Sequence, residues 1–194
     1  MLQTVLSSKY QKEMITITEN NESVHIMIRR ARKSDVPELG RILCQVNNVH
    51  AEGRPDLFLM DHRKYSDEEL TDLLGDPGRP VFVLTEDDRK IKGYAFCMIE
   101  QYGEGGNMVP RRTIYIDDIC VDEICRGQHV GRQLYQYVCD YARSIGAYNI
   151  TLNVWSCNPT AAAFYEAMGM TPYKVGMEYV LGQENSRKSE KEKQ

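Results

Sequence analysis

The sequence has little that would commit it to a metal, a membrane or a nucleic acid. Its four histidines, His25, His50, His62 and His129, stand at no zinc spacing, and no two of its six cysteines form C-x-x-C. No metal is expected. Cys44, Cys97, Cys120, Cys125, Cys139 and Cys157 lie mostly within apolar runs, which reads as free, buried thiols in a reducing compartment, so a cytoplasmic location is expected. Cys120 and Cys125 flank a turn, and a reactive thiol there stays open. No apolar run approaches membrane-spanning length, and Met1–Ser7 is too short and too mixed for a signal peptide. Basic residues are not in excess: 24 Lys and Arg against 28 Asp and Glu leave a net charge of −4, which argues against a general nucleic-acid surface. Neither G-x-x-x-x-G-K-[ST] nor G-x-G-x-x-G occurs, so an NTPase loop and a dinucleotide-binding fold are not indicated.

What is present suits one domain with a substantial core. The chain has 194 residues, 42% hydrophobic and 27% charged. Its most informative stretch runs from Tyr115 to Arg132. Ile114–Val121 is apolar and β-rich, Asp122–Cys125 turns, and from Val130 apolar residues recur at Leu134, Tyr137, Val138, Tyr141, Ala142 and Ile145. That is one buried helix face. A strand, a glycine-containing turn and a helix start suit a phosphate, because the first helical N–H groups have no intrahelical partner and the helix dipole is positive there. Arg126 and Arg132 add full charges nearby. An ordinary strand-to-helix loop would carry a similar pattern.

A second stretch, Leu152–Met170, reads as strand, short turn, helix and glycine stop. Together the two stretches resemble the GNAT superfamily of acetyl-CoA-dependent N-acetyltransferases. Arg126-Gly-Gln-His-Val-Gly131 resembles its [QR]-x-x-G-x-[GA] pyrophosphate loop, with His129 in place of the family's middle glycine. Asn158-x-x-Ala161-x-x-Phe164-Tyr165-Glu166-x-x-Gly169 resembles its second acetyl-CoA motif. The resemblance covers roughly residues 25–181 and is firm in the later half.

The rest of the chain is organised around these stretches. Residues 1–24 form an extension, a strand or a loose arm. His25–Arg32 reads as a strand. Asp35-x-x-Glu38 with Pro37 is a capping-box pattern opening a helix through Leu39, Ile42, Leu43, Val46 and Val49. Ala51–His62 reads as a loop whose Leu57, Phe58, Leu59 and Met60 either cover the core or shape an acceptor pocket. Ser66-x-x-Glu69 caps a second helix. Strands are expected at Pro80–Glu86, with a turn at Asp87–Lys90, then at Ile91–Tyr102, Arg112–Val121, Tyr148–Val154 and Thr171–Leu181. Helices are expected at Val130–Ile145 and Asn158–Met168. Residues 25–181 make the domain, and the charged 182–194 tail reads as disordered. The fold class expected is mixed α/β, a GNAT-like, mostly antiparallel sheet of six to seven strands with helices on both faces.

The resemblance implies acetyl transfer from acetyl-CoA to a primary amine, and it assigns roles. Ile119, Cys120 and Val121 would pair with the pantetheine arm. Arg126, Gly127, Gln128, His129, Val130, Gly131 and Arg132 would cradle the pyrophosphate. Asn158 and Ala161 would meet the arm, Asn158 also capping its helix ahead of Pro159. Tyr165 would touch the cofactor and protonate the leaving thiolate, although its helical spacing with Ala161, Phe164 and Met168 also suits a core residue. Asp117 is the candidate base, because strand alternation puts Asp117 and Asp118 on opposite faces and Asp117 beside Tyr115, Ile119 and Val121. Pairing with Arg111 or Arg112 is the structural alternative. Asn153 stands where some relatives carry glutamate, and an amide is no base. The acceptor is expected to be a small-molecule amine, with no nucleic acid or membrane partner, and a homodimer stays open. A protein N-terminal or lysine acetyltransferase is the alternative, and a non-catalytic acyl-CoA sensor is the alternative of another class.

Overall fold

The structure, a computed structural model, describes residues 12–19, 22–103 and 105–181. The first eleven residues and the tail 182–194 lie outside the described residues. The chain divides into two compact units, 1–162 and 163–194.

The first unit is built on one six-stranded sheet in sequence order: β1 (Lys12–Glu19), β2 (Glu22–Arg30), β3 (Val81–Glu86), β4 (Lys90–Tyr102), β5 (Arg111–Val121) and β6 (Asn149–Leu152). Neighbouring strands are antiparallel, except that β5 and β6 are parallel. The connections explain this. The β3–β4 and β4–β5 links are short enough for hairpins, whereas the β5–β6 link carries a helix and returns the chain in the same direction. The expected class therefore holds, and the extension forms a strand over Lys12–Glu19.

Helices cover both faces. α1 (Val36–Gly53) and α2 (Asp67–Leu73) bury Leu39, Ile42, Leu43, Leu70 and Leu73 against Val81, Val83, Tyr94 and Phe96. Each such side chain contributes about 1.5–3 kcal/mol on leaving water. α3 (Val130–Ser144) lies on the opposite face, where Tyr137 and Tyr141 meet Phe82 edge-on at 5.0 and 5.1 Å between ring centroids. Gly93 in β4 lets the start of α3 pack closely on this face. A Cβ there would stand 2.8 Å from the Cys120 carbonyl oxygen and 3.0 Å from a Val130 methyl. α4 (Pro159–Ala167) crosses from the first unit into the second.

Two local expectations meet different outcomes. Ser66 and Glu69 form the reciprocal capping box, with Glu69 N–H donating to Ser66 Oγ at 3.2 Å and Ser66 N–H to Glu69 Oε2 at 2.7 Å. The Asp35–Glu38 box does not form. Asp35 is buried and is claimed by Arg29, whose guanidinium donates to both its oxygens at 2.7 and 3.1 Å, and by the Arg32 N–H at 2.7 Å. Glu38 pairs with Arg41 instead. A charged hydrogen bond inside the protein outweighs a cap at its edge. Arg29 also reaches Asp88 in the β3–β4 turn, so one guanidinium fastens β2, the start of α1 and a hairpin tip.

The helix starting at Val36 runs on to Gly53, past the expected end near Val49, which shortens the following loop. The expected strand Thr171–Leu181 is absent: these residues have no regular secondary structure, and Tyr173, Val175, Met177 and Tyr179 are exposed. Alternation describes an amphipathic strand only when another strand supplies its ladder bonds, and Pro172 and Gly176 weaken this segment further. Among the described residues, no helix is long and apolar enough to cross a membrane.

Removing one partner of a buried ion pair leaves the other charge uncompensated, which costs about 3–5 kcal/mol. Asp35→Ala leaves Arg29 with Asp88 alone and is therefore expected to lower unfolding free energy in urea melts by less than this, about 2–3 kcal/mol, whereas Glu38→Ala, at an exposed pair, changes it by less than about 1 kcal/mol.

Candidate active site

The site lies where β6 leaves β5. β6 pairs only with Thr113–Ile116, whereas β4 follows β5 through Val121. On the β6 side, the edge of β5 from Asp117 to Val121 thus has no strand partner among the described residues. Ile119, Cys120 and Val121 all lie on this open edge.

Just beyond it, Asp122 caps a short 3₁₀ turn, Glu123–Cys125, by accepting the Ile124 N–H. Asp122 is fully buried and paired to Arg41, while Gln45 donates to it at 3.3 Å and accepts the Glu123 N–H at 3.2 Å. α1 therefore holds the loop from below. Gly127 follows at φ 78°, where a side chain would be strained. His129, in the place of the family's middle glycine, is the N-cap of α3 and adopts the left-handed conformation at φ 60°, ψ 11°. Its side chain makes no capping bond, so the N–H groups of Val130, Gly131 and Arg132 open the helix without a side-chain cap. Arg126, Gln128 and Arg132 are exposed around this start. Lys92 of β4 adds a cation, its Nζ 3.5 Å from Gln128 Oε1. No local sequence pattern marks Lys92, because it reaches the loop across the sheet.

The two aspartates are placed by a β-bulge. Phe96 pairs with Asp118 and Cys97 with Ile116, leaving Asp117 as the extra residue. The bulge breaks the alternation assumed from sequence. Asp117 does share its face with Tyr115, but Asp118 and Cys120 join them, and Ile119 and Val121 move to the α3 face. Asp118 accepts from Tyr94 Oη at 2.7 Å. Asp117 meets neither Arg111 nor Arg112. Its oxygens accept from Lys64 Nζ at 2.7 Å each, and Tyr65 Oη donates to it at 3.1 Å. Tyr65 in turn accepts from Arg79 at 3.0 Å and stacks on Phe96 with centroids 6.0 Å apart. Lys64 and Tyr65 come from the α1–α2 loop, 53 and 52 residues away in sequence, and nothing local announces them.

The neighbouring groups are tuned by burial. Burial pushes the Asp118 carboxyl up to about 6, against the hydrogen bond from Tyr94, and Asp117 pushes the same way. Burial and Asp118 hold the Tyr94 phenol well above its usual range, so it remains a donor. Burial raises the Cys120 thiol to about 12, and Cys125 is buried, so neither is the reactive thiol left open by the sequence. Cys157 is the exposed one. Burial, with Lys64, keeps the His50 imidazole below its usual value, and its buried Nδ1 has no hydrogen-bond partner.

Beyond β6, Asn153 donates to Tyr115 Oη at 3.1 Å, and Trp155 meets Phe58 edge-on at 5.4 Å and His50 at 6.4 Å. The Phe58 ring faces this cluster, while Leu57, Leu59 and Met60 are exposed. The loop is thus no cover for the core. Asn158 accepts the Ala161 N–H at 3.0 Å, capping α4 as its position before Pro159 suggests. Phe164 and Tyr165 lie in the second unit, with ring centroids 5.1 Å apart. Among the described residues, no group of three His, Cys, Asp or Glu could hold a metal.

Residues 27–170 match the Acetyltransferase (GNAT) family model. A glucosamine 6-phosphate N-acetyltransferase of Arabidopsis thaliana is 30% identical over 97 residues, 43% of this chain and 63% of the relative. The chain thus aligns with less than two thirds of that relative's length. A mutant of the BH1408 protein from Bacillus halodurans superposes with a TM-score of 0.75 at 30% identity, covering 79% of this chain and 98% of that one. A Trypanosoma brucei acetyltransferase shares the fold with a TM-score of 0.59 at 23% identity, covering 80% and 99% of the two chains.

Because folding holds the proton on Asp118 to a higher pH than the unfolded chain does (about 3.9), this residue costs stability as pH rises from about 4 to about 6. The cost is about 2–3 kcal/mol above that window. Groups held low, such as Asp88 beside Arg29, act the other way, at lower pH. Subtracting the pH–stability curve of Asp118→Asn from that of the parent should isolate the Asp118 slope; a flat difference between pH 4 and 7 would show that Asp118 titrates normally.

Proposed function

Since the chain belongs to the GNAT acetyltransferase family, we propose that it transfers the acetyl group of acetyl-CoA to a primary amine of a small molecule by direct attack on the thioester. One observation carries the reading: the open edge of β5 leads straight into an uncapped, basic helix start. A pantetheine arm carries amides that need strand-like partners, and a pyrophosphate needs N–H groups and cations. Ile119, Cys120 and Val121 offer the first, and Val130, Gly131 and Arg132 with Arg126, Gln128 and His129 offer the second. Gly127 lets the backbone turn there. Asn158 uses its oxygen on Ala161 and keeps its amide N–H free to donate to the arm.

Acetyl-CoA supplies the activated acyl group, and this chain's residues orient it and handle protons. With the pyrophosphate beyond Val121, the arm runs back along β5 and its acyl end faces the bulge. Asp117 stands there as the seat for an acceptor ammonium and as the base that takes its proton. Tyr165 is assigned, by the motif it belongs to, as the acid that protonates the leaving thiolate.

The small-molecule acceptor is supported by the likeness to a glucosamine 6-phosphate N-acetyltransferase. The second reading, acetylation of a protein N-terminus or lysine, is favoured by the exposed Leu57, Leu59, Met60 and Trp155 beyond the β6 end, which suit a peptide side chain. Offering amino sugars, polyamines and peptides with acetyl-CoA, and following thiol release, separates the two by which class turns over.

Arg126→Ala is expected to weaken acetyl-CoA binding about tenfold in calorimetry, in keeping with loss of one charged hydrogen bond of about 1.5–3 kcal/mol, without changing the melting temperature. Unchanged affinity would remove the pyrophosphate assignment.

Tyr165→Phe keeps the ring and removes the hydroxyl. With an identified acceptor, kcat should fall about 10²–10⁴-fold while acetyl-CoA affinity persists. Full kcat under conditions where chemistry limits the rate would make Tyr165 a packing residue.

A further inference from the structure

The carboxylate assigned to the acceptor amine already carries an amine. Lys64 Nζ lies 2.7 Å from each oxygen of Asp117 and 5.3 Å from the centroid of the Tyr65 ring. The Lys64 side chain is half exposed and that of Asp117 only 13% exposed, so the ammonium enters from the solvent side onto a nearly buried anion. An acceptor ammonium would make the same approach.

Lys64 is also held there by its backbone. On one side, Asn48 donates to Asp61 Oδ1 at 3.0 Å and accepts the Asp61 N–H at 2.8 Å, and Asn47 donates to the Leu59 carbonyl at 2.7 Å. On the other, the Ser66–Glu69 box starts α2 two residues after Lys64. The loop is therefore tied to α1 and α2 within three residues either side of Lys64. A lone surface pair would lack such constraint and would be worth little.

From this placement we infer that Lys64 is an intramolecular acetyl acceptor, modified by the protein's own acetyl-CoA when no outside amine occupies Asp117. The inference rests on the acetyl-transfer reading of the same site. Asp117 takes a proton from the Lys64 ammonium. The freed Nζ lone pair attacks the thioester carbonyl carbon, forming an N–C bond as the C–S bond breaks. The electron pair leaves on the CoA sulfur, which is protonated to the thiol. The net change is one lysine ammonium and one acetyl thioester converted to one acetyl-lysine amide, one thiol and one proton. The product has no charge to offer Asp117, so the carboxylate is left with Tyr65 and is open to an acceptor ammonium.

The test compares two acetyl donors on the full chain, with peptide mass spectrometry reading each lysine over time. Acetic anhydride attacks from solution, and ion-paired Lys64 should react more slowly with it than exposed Lys33 and Lys90. Acetyl-CoA should invert that order. Lys64 should react about tenfold or more faster than Lys33 and Lys90, as expected for a held reactant. Its rate should saturate with acetyl-CoA and be independent of protein concentration. Asp117→Asn should abolish the preference for Lys64 while leaving Lys33 and Lys90 unchanged. Equal rates at the three lysines, or a Lys64 rate that climbs with protein concentration, would overturn the inference. Calorimetry on the same sample separates the two readings. Acetyl-CoA that binds without labelling Lys64 defeats this inference alone, whereas acetyl-CoA that does not bind defeats the proposed function as well.

Discussion

One extra residue in β5 sets the geometry of the candidate site. Asp117 has no opposite number on β4, and the bulge it forms turns two successive carboxylates toward the same face. Without it, Asp118 would point toward α3 and would not meet Tyr94. The bulge also falls where β6 stops pairing, one residue past Ile116. A bent strand and a departing neighbour leave an open edge with a carboxylate at one end and a helix start at the other. Each feature is ordinary alone, and their coincidence gives the open edge a polarity.

The two half-buried aspartates on the α1–α2 face of the sheet are fastened differently. Asp118 is satisfied by a phenol, a neutral donor, and burial pushes its proton affinity up. Asp117 is satisfied by an ammonium that a flexible side chain can withdraw. Such a cation is a less fixed partner than a guanidinium, whose five donors hold a fork geometry. Arg29 and Arg41 illustrate the contrast. They grip Asp35, Asp88 and Asp122 at the ends of the sheet, where the hairpin tip, α1 and the loop before α3 must keep their places.

Much of this architecture is legible locally. The period of Val130–Ala142 marks one helix face, Ser66 and Glu69 announce the start of α2, Asn158-Pro159 announces α4, and Asp87-Asp88 marks the turn where both residues adopt positive φ. The loop from Arg126 to Arg132 and the Asn158–Gly169 stretch are legible as resemblances to family motifs for the same reason: their residues are near neighbours in the chain. His129, where the family has glycine, adopts the left-handed conformation at the start of α3.

What the sequence by itself determined, then, is the order of the elements up to α4, the family resemblance and the caps of α2 and α4, all of which depend on contacts within a few residues. The tertiary structure alone decided the rest. Alternation put Asp117 and Asp118 on opposite faces, because periodicity cannot register an extra residue whose only evidence is the strand opposite. Asp35 read as a cap until Arg29 claimed it from the neighbouring strand. Lys64, Tyr65 and Lys92 carry no pattern, and they join the site only through packing across 36 to 53 residues of chain. Thr171–Leu181 alternates like a strand yet has no ladder in the structure. In each case the deciding partner is remote in sequence, and pairing energy, unlike propensity, belongs to two segments at once.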